Sequence, residues 1–273
     1  MKRLFLILTI SLILFISCTG IATQTYSLQT PLFEKQSGIK LVLITDLHNT
    51  KHGANQEKLI KLVKEAVPDI ILLIGDIIDN ISTIEGTRML LSGINNIAPI
   101  YYVTGNHEYM TKEIEFIREE LESFGVHILS DTYVKLEINK NEIILAGIED
   151  PYKRLYETPY YNQKEVMENK FRELDGVHVY KILLAHRPEL IELYKQFSFN
   201  LVLSGHTHGG QVIIPNLING LYAPQQGLFP KYAGGLYKHD ELTHIISRGL
   251  SINFFLPRIF NPPEFVVIII ESD

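Results

Sequence analysis

Short apolar runs alternate with longer amphipathic stretches through the first half of the chain. The apolar runs predict three strands: the first alternates weakly, and the second is apolar throughout, as is typical of a strand buried in a parallel sheet. The amphipathic stretches between them predict helices, with Asn55 and Thr111 as the N-caps of two of them. The predicted strands are 39–44, 70–74 and 99–103, and the predicted helices are 55–67, 82–95 and 111–124. Three successive strand–helix units predict crossover connections and a parallel sheet.

The pattern changes after residue 125, where short strands with polar turns favour a second, antiparallel sheet. The strands predicted in this half are 126–129, 133–138, 142–147, 180–184, 199–203, 211–214, 243–247 and 265–270. Pro188 is placed to begin a helix, at a position where proline is tolerated. Residues 149–173 are polar and partly helical. Residues 216–240 are rich in Gly, Pro and Tyr, and loops this long inside a domain are usually functional or disordered.

The N-terminus has two basic residues followed by an apolar run over residues 4–16, which is typical of an export segment. Three interpretations stay open for residues 1–22: a cleaved signal peptide, an uncleaved membrane anchor, or a lipoprotein signal. The last rests on Phe15-Ile-Ser-Cys18, which resembles a lipobox. All three place the rest of the chain in the cell envelope, at the extracytoplasmic face of the cytoplasmic membrane. Residues 23–38 are polar and predict a tether, which leaves 39–273 as a single domain.

Composition restricts the chemistry. The net charge of −6 gives no positive footprint, so no nucleic-acid partner is expected. The one cysteine excludes a disulfide framework and a thiolate-rich zinc site. Any metal centre must therefore use His, Asp, Asn and Glu. No pattern in the sequence indicates an obligate protein partner.

Metal-ligating side chains follow the predicted strands at the point where each strand ends. They are Asp46, His48, Asp76, Asn106, His107, His186, His206 and His208. Parallel strands bring their carboxyl ends to one edge of a sheet, so these side chains are expected to converge there. Imidazoles, carboxylates and an amide oxygen suit two adjacent divalent ions, with Mn, Fe and Zn as candidates. Asp79 is expected to be a supporting or capping group. Taken alone, the stretch with His206 and His208 could also be a polar loop with two solvated histidines.

Five motifs together resemble a known family. Asp46-x-His48, Gly75-Asp76, Gly105-Asn106-His107-Glu108, His186 and Gly205-His206-x-His208 are similar, in order and spacing, to the five blocks of the calcineurin-like metallophosphoesterases. The tail, with Gly209-Gly-Gln211, Ser247-Arg-Gly249 and Asn261-Pro-Pro-Glu264, resembles a bacterial membrane- or envelope-associated branch of phosphodiesterases. The resemblance implies an α/β fold in which two mixed β-sheets pack as a sandwich flanked by helices.

The resemblance also implies roles for these residues. Three side chains would hold one ion, three would hold the other, and Asp76 would bridge them; the two sets are Asp46, His48 and His208, and Asn106, His186 and His206. His107 would stabilise developing charge or protonate the leaving group, and Glu108 would orient it. The implied activity is hydrolysis of a phosphodiester or pyrophosphate bond by metal-bound hydroxide. A lipid-linked or cell-envelope intermediate is the substrate that this branch suggests.

Two other function classes remain as alternatives. The first is a metal-binding envelope protein without turnover, and the pair Asn106-His107 argues against it because a structural site needs no free acid. The second is a secreted nuclease, which the acidic balance of the chain argues against.

Overall fold

The computed structural model describes residues 20–252 and 257–273. Its first sheet has six strands, in the order β1-β14-β2-β3-β4-β5. Their bounds are β1 Ala22–Thr30, β2 Gly38–Ile44, β3 Ile70–Ile74, β4 Ile100–Val103, β5 Val126–Ile128 and β14 Glu264–Ser272. Strands β2 to β5 are parallel to one another, and β14 runs antiparallel to β2. The three strands expected in the first half of the chain therefore form the parallel centre of this sheet.

The second sheet also has six strands, in the order β12-β13-β9-β8-β7-β6. Their bounds are β6 Thr132–Ile138, β7 Asn141–Ile148, β8 Tyr180–Ala185, β9 Leu201–Ser204, β12 Gly235–His239 and β13 Leu242–Ile246. The pairs β7–β8, β8–β9 and β9–β13 are parallel, and only the edge strands β6 and β12 pair antiparallel. The hairpin pattern thus predicted the antiparallel pair β6–β7 correctly. It was wrong for the second sheet as a whole, which is mixed rather than antiparallel, and for β5, which belongs to the first sheet.

The two sheets pack face to face and bury a shared apolar core. Alternate residues of β2 and β3, such as Leu43 and Leu72, contact residues of the second sheet such as Leu145 and Leu203. The other residues of the same strands face helices, which explains why β3 is apolar at every position and β2 is apolar from Leu41 to Ile44. A third apolar cluster lies between the second sheet and its own helices. The sandwich of two mixed sheets with helices on both outer faces is confirmed.

The helices are short and several begin later than expected. Their bounds are α1 Glu57–Ala66, α2 Glu85–Ile94, α3 Asn106–Met110, α4 Ile114–Ser123, α5 Lys153–Tyr156, α6 Gln163–Phe171 and α7 Ile191–Tyr194. Asn55 is not an N-cap, since Gln56 precedes α1, and Thr111 ends α3 rather than beginning α4. Pro188 does begin a helical turn, Pro188–Leu190, ahead of α7. Residues 211–214 form isolated bridges and no strand, while a two-stranded hairpin, β10 Tyr222–Ala223 and β11 Gly227–Leu228, lies within the predicted loop.

The expected tether over residues 23–38 is wrong for its first part, because β1 pairs with β14 along its whole length. Tyr26 and Leu28 pack against the core between the sheets, while the intervening side chains are exposed. Such a polar edge strand carries only a weak apolar pattern. The predicted signal or anchor falls almost entirely on residues 1–19, outside the described residues. Among the residues that are described, no helix combines the length and apolar character that crossing a bilayer requires.

Candidate metal centre

The carboxyl ends of strands from both sheets meet at one edge of the sandwich. The loops after β2, β3 and β4 carry Asp46, Asp76 and Asn106, and those after β8 and β9 carry His186 and His206. Hydrogen bonds join the two sheets here: the Nδ1 atom of His186 lies 2.8 Å from the Ile74 carbonyl oxygen, and the His206 amide donates to Asp46 at 3.0 Å. The convergence expected from the strand order is therefore present.

The side chains form overlapping groups whose potential ligand atoms lie within 4.8 Å of one another. These groups are Asp46, His48 and His208; Asp76, His186 and His206; and His48, Asp76 and His107. Asp76 belongs to two of them, with its Oδ2 atom 3.1 Å from His186 Nε2 and 3.7 Å from His48 Nε2. The first two groups contain the two ligand sets expected from the sequence, apart from Asn106, and Asp76 shares a group with His48 of one set and with His186 and His206 of the other.

Buried atoms without hydrogen-bond partners test whether this site suits metal ions. Within the described part of the chain, four such atoms lie at this edge: His48 Nε2, Asp76 Oδ2, Asn106 Oδ1 and His186 Nε2. Asp76 Oδ2 and His186 Nε2 face each other at 3.1 Å as an ion pair, without the geometry of a hydrogen bond. Buried polar atoms are normally paired, and leaving one unpaired costs about 1–3 kcal/mol. All four are atoms that ligate divalent cations. The donor set therefore fits two ions of this class.

The backbone at these positions is also unusual. Asp46, His48, Asp76, His206 and His208 all have positive φ, between 47° and 72°. This left-handed region is uncommon for residues other than glycine and costs of order 1–3 kcal/mol where the surroundings impose it. Such conformations cluster at functional sites, where packing holds side chains in place for a ligand.

Neighbouring groups fix the orientation of the histidines. The Nδ1 atom of His186 bonds the Ile74 carbonyl, which leaves Nε2 as the nitrogen that faces Asp76. The Nδ1 atom of His208 lies 3.0 Å from the Ser251 hydroxyl, and its Nε2 faces Asp46 at 3.8 Å. Ser251 was not anticipated from the sequence, since it lies 43 residues after His208 and belongs to no motif.

The ionisable groups of the centre shift in different directions. Burial raises the pKa of Asp46, because water no longer stabilises its charge. Burial also lowers the pKa of His208 and, together with the charges of His186 and Arg187, lowers the pKa of His206 to about 3. Asp76 differs: burial alone would raise its pKa, but the charge of His186 lowers it. His186 also differs: burial alone would lower its pKa, but the charge of Asp76 raises it to about 10. His206, His208 and Asp76 are therefore shifted toward the states that ligate metals, whereas His186 and Asp46 would have to release protons on binding an ion.

His107 lies at the rim of the centre, with its side chain 31% exposed. Its Nδ1 atom contacts Asp79 Oδ1, and its amide donates to Asp76 at 2.9 Å. Burial lowers the pKa of His107, but the bond to Asp79 and the charge of Asp76 outweigh burial and raise it to about 9. His107 is therefore a protonated, partly accessible group beside the potential metal ligands.

Glu108 does not orient His107, contrary to expectation. Its buried carboxylate accepts four backbone N–H bonds instead, from Asp76, Ile77, Ile78 and Gly105, at 2.7 to 3.1 Å. It thus ties the loop after β3 to the loop after β4. Asp79, expected only to support or cap, is the carboxylate that contacts His107.

Three residues that sequence reasoning missed lie beside the centre: Asp150 and Arg187 follow strands of the second sheet, and Gln225 lies in the β10–β11 hairpin. The buried Arg187 guanidinium bonds both carboxylate oxygens of Asp150, at 2.6 and 3.1 Å, and its Nη1 lies 3.3 Å from His206 Nε2. Gln225, in the β10–β11 turn, places Oε1 2.6 Å from the same nitrogen. Asp150 follows β7 just as Asp46 follows β2, so the strand-end pattern could have identified it. Gln225 carries no such signal.

A family model described as calcineurin-like phosphoesterase matches residues 39–210. The chain belongs to the calcineurin-like phosphoesterase family. The matched range begins within β2 and ends just after His208, so it contains every potential ligand described above.

Individual relatives agree with this assignment. The chain is 28% identical over 250 residues to a transmembrane protein with metallophosphoesterase domain from Danio rerio, covering 88% of this chain and 54% of that protein. It is 27% identical over 231 residues to the metallophosphoesterase YkoQ of Bacillus subtilis, covering 83% and 81%. It is 33% identical over 239 residues to the metallophosphoesterase Cj0846 of Campylobacter jejuni, covering 84% and 58%. The chain thus spans little more than half the length of two of these relatives.

Among solved structures, Haemophilus influenzae NAD nucleotidase (NadN) is similar in fold. The TM-score is 0.54 at 17% identity, and the match covers 79% of this calcineurin-like phosphoesterase and 46% of the nucleotidase. At this identity the likeness concerns the fold alone.

Proposed function

We propose that this calcineurin-like phosphoesterase hydrolyses a phosphodiester or pyrophosphate bond with the help of two divalent ions. The observation that carries the proposal is the set of four buried, unpaired ligand atoms at the edge where the two sheets meet. Asp46, His48 and His208 would hold one ion. Asn106, His186 and His206 would hold the other, with Asp76 between them. Mn, Fe and Zn all suit these donors.

Ions bound there would polarise the phosphoryl group and lower the pKa of a water molecule toward about 7. The residues of the chain supply the rest of the chemistry. His107 has a pKa of about 9 and is partly exposed, so it can donate a proton to a departing oxygen at neutral pH. Asp79 holds the imidazole through Nδ1, which leaves Nε2 to face the substrate. Glu108 holds the two loops that carry Asp76 and Asn106 at a fixed separation.

We further propose that the protein acts in the cell envelope, attached to the membrane through residues 1–22 as an uncleaved anchor or a lipoprotein. The basic and apolar pattern of this segment supports attachment. A lipid-linked or envelope intermediate would be accessible to an enzyme in this position and is the substrate class that we propose.

The test uses the full-length protein stripped with chelator and titrated with Mn, Fe or Zn. Hydrolysis of bis-p-nitrophenyl phosphate is followed beside that of p-nitrophenyl phosphate. We expect metal-dependent release from the diester and a loss of about 10²–10⁴ in kcat for His107→Ala with both metals still bound. Asp76→Asn should lower both metal affinity and rate. His178→Ala, at an exposed histidine outside the centre, is the matched control and should behave as wild type.

Two outcomes would contradict the proposal. Full metal-dependent activity in Asp76→Asn would show that the site is assigned wrongly. Binding of two metals without turnover of either compound would favour the metal-binding protein without catalysis.

A further inference from the structure

Exposed apolar side chains cluster near the metal centre. Five large hydrophobic residues of one short stretch, together with Phe260, are 42% to 77% exposed. We refer to them as the apolar rim: Ile214, Leu217, Tyr222, Leu228, Phe229 and Phe260. Monomeric soluble proteins rarely expose apolar side chains in such a group without a binding role.

Backbone hydrogen bonds hold the segments of the apolar rim together. The amide of Ile213 donates to the Ile259 carbonyl at 2.9 Å, which places Phe260 beside residues 211–214. Tyr222 and Leu228 are direct partners across the β10–β11 hairpin, so their side chains share one face. The amide of Leu221 donates to Gly210 at 2.9 Å, which seats the hairpin on the turn after His208. The segments that carry the apolar rim are therefore joined to one another through their backbones.

The same hairpin reaches the metal centre. Gln225 lies in its turn and contacts His206 Nε2, whereas Tyr222 and Leu228 in its strands are 52% and 67% exposed. One element thus touches a potential metal ligand at its tip and presents apolar side chains to the surroundings along its stem.

The described chain also begins at this edge. The amide of Ala22 donates to the Pro263 carbonyl at 2.8 Å, three residues from Phe260. Ala22 pairs with Glu264 at the start of β14, and β14 is antiparallel to β2, so both ends lie beside the carboxyl end of β2, where Asp46 follows. The apolar run 4–16 ends six residues before Ala22, and six residues of extended chain reach at most roughly 20 Å.

We propose that the apolar rim docks on the surface of a lipid bilayer, so that the metal centre faces the membrane. The N-terminal segment that we propose to be membrane-attached precedes Ala22, which lies at this edge, so that segment and the apolar rim would supply the two contacts that stable, oriented attachment requires. Tyr222, Phe229 and Phe260 are aromatic side chains of the kind that settle at the membrane interface. Docking brings the phosphoester bond of a membrane-embedded substrate to the centre without extracting its apolar part. This inference deepens the proposed substrate class and rests on the proposed membrane attachment.

The absence of tryptophan from the sequence makes a direct test possible. Phe229→Trp and Phe260→Trp each introduce one tryptophan into the apolar rim, and Val67→Trp introduces one at a 70% exposed position after α1. Helix α1 returns from the metal-centre edge, so Val67 lies at the opposite end of the sandwich. The full-length proteins are reconstituted in phosphatidylethanolamine–phosphatidylglycerol vesicles, with and without bromine on the acyl chains.

We expect brominated lipid to reduce the fluorescence of both rim tryptophans about twofold and to leave that of Val67→Trp nearly unchanged. Adding Leu217→Ser and Leu228→Ser to Phe229→Trp should abolish most of the quenching. Hydrolysis of soluble bis-p-nitrophenyl phosphate is measured on the same samples and should be unaltered by these two serines. Equal quenching at the rim and at Val67, or no association with vesicles, would overturn the inference. If the rim tryptophan proteins without the serines are quenched but show no metal-dependent hydrolysis, the proposed function is contradicted and the docking inference is not.

Discussion

The two halves of the metal centre are stabilised by different means. In the first-sheet half, the loops after β3 and β4 converge on the Glu108 carboxylate, which accepts four backbone N–H bonds. In the second-sheet half, charged side chains pair with one another, as Arg187 does with Asp150. Backbone bonds to one acceptor fix the path of the chain, whereas a side-chain pair fixes charge. Mutations in the first half should therefore mainly displace the backbone that carries the potential ligands. Mutations in the second half should mainly change the charge around them.

The largest effect is expected at Glu108. Glu108→Ala leaves four buried N–H groups without an acceptor, and we expect a loss of about 3–5 kcal/mol in the free energy of unfolding. Because Asp76 and Asn106 lie on the two loops that Glu108 joins, metal affinity should fall with stability. Urea unfolding and metal titration measure the two quantities.

Two variants control this experiment. Glu108→Gln keeps one acceptor oxygen and should lose less than Glu108→Ala. Glu119→Ala, at an exposed glutamate of α4, should be nearly neutral. If Glu108→Ala were as stable as Glu119→Ala, the backbone bonds would not be what stabilises the first half.

A smaller effect is expected at Asp150. Asp150→Asn weakens a bidentate bond to a buried guanidinium, and we expect a loss of about 2–3 kcal/mol in stability. Arg187 would then carry a less compensated charge 3.3 Å from His206 Nε2, so metal affinity should also fall. Calorimetry of unfolding and metal titration again separate the two effects.

The chain provides a matched pair at its surface. Arg88 and Glu120 form the same bidentate geometry, at 2.7 and 2.8 Å, but the Arg88 side chain is 38% exposed. Glu120→Gln should therefore cost at most about 1 kcal/mol, because water and salt screen the pair. Equal losses in the free energy of unfolding for Asp150→Asn and Glu120→Gln would show that burial does not strengthen the Arg187–Asp150 pair.

The same contrast explains what the sequence could predict. A local pattern predicts Asp46, Asp76, Asn106, His186 and His206, because each lies within three residues of the end of an apolar strand. The pairing of the buried Arg187 with Asp150 was not identified because it joins residues 37 positions apart. Which residue contacts His107 was predicted wrongly, since Glu108 is its neighbour in sequence but Asp79 is its neighbour in space.

The fold shows the same division. Strands buried on both faces, such as β3, were predicted with their bounds, because every residue is apolar. The edge strand β1 was interpreted as a tether, because only Tyr26 and Leu28 face the core. The mixed character of the second sheet was missed from the hairpin pattern, because strand order depends on crossovers that no short pattern records.

The last effect is a pH dependence at a buried histidine of the second sheet that lies outside the metal centre. His244, in β13, is fully buried, and its Nε2 lies 3.0 Å from the Ser204 hydroxyl at the end of β9. Burial lowers its pKa to about 3 from an ordinary value of 6.5. The unfolded chain therefore binds a proton that the folded chain does not bind, so the stability due to neutral His244 is present above pH 6.5. It is lost as the pH falls toward 3, at about 1.4 kcal/mol per pH unit.

His244→Gln cannot take up that proton, so its stability should decline less steeply between pH 6 and pH 4 than that of wild type. Urea unfolding of the metal-free proteins at each pH measures the slope, with His178→Gln as the exposed control. Parallel slopes for wild type and His244→Gln would show that protonation of His244 does not account for the loss of stability in acid.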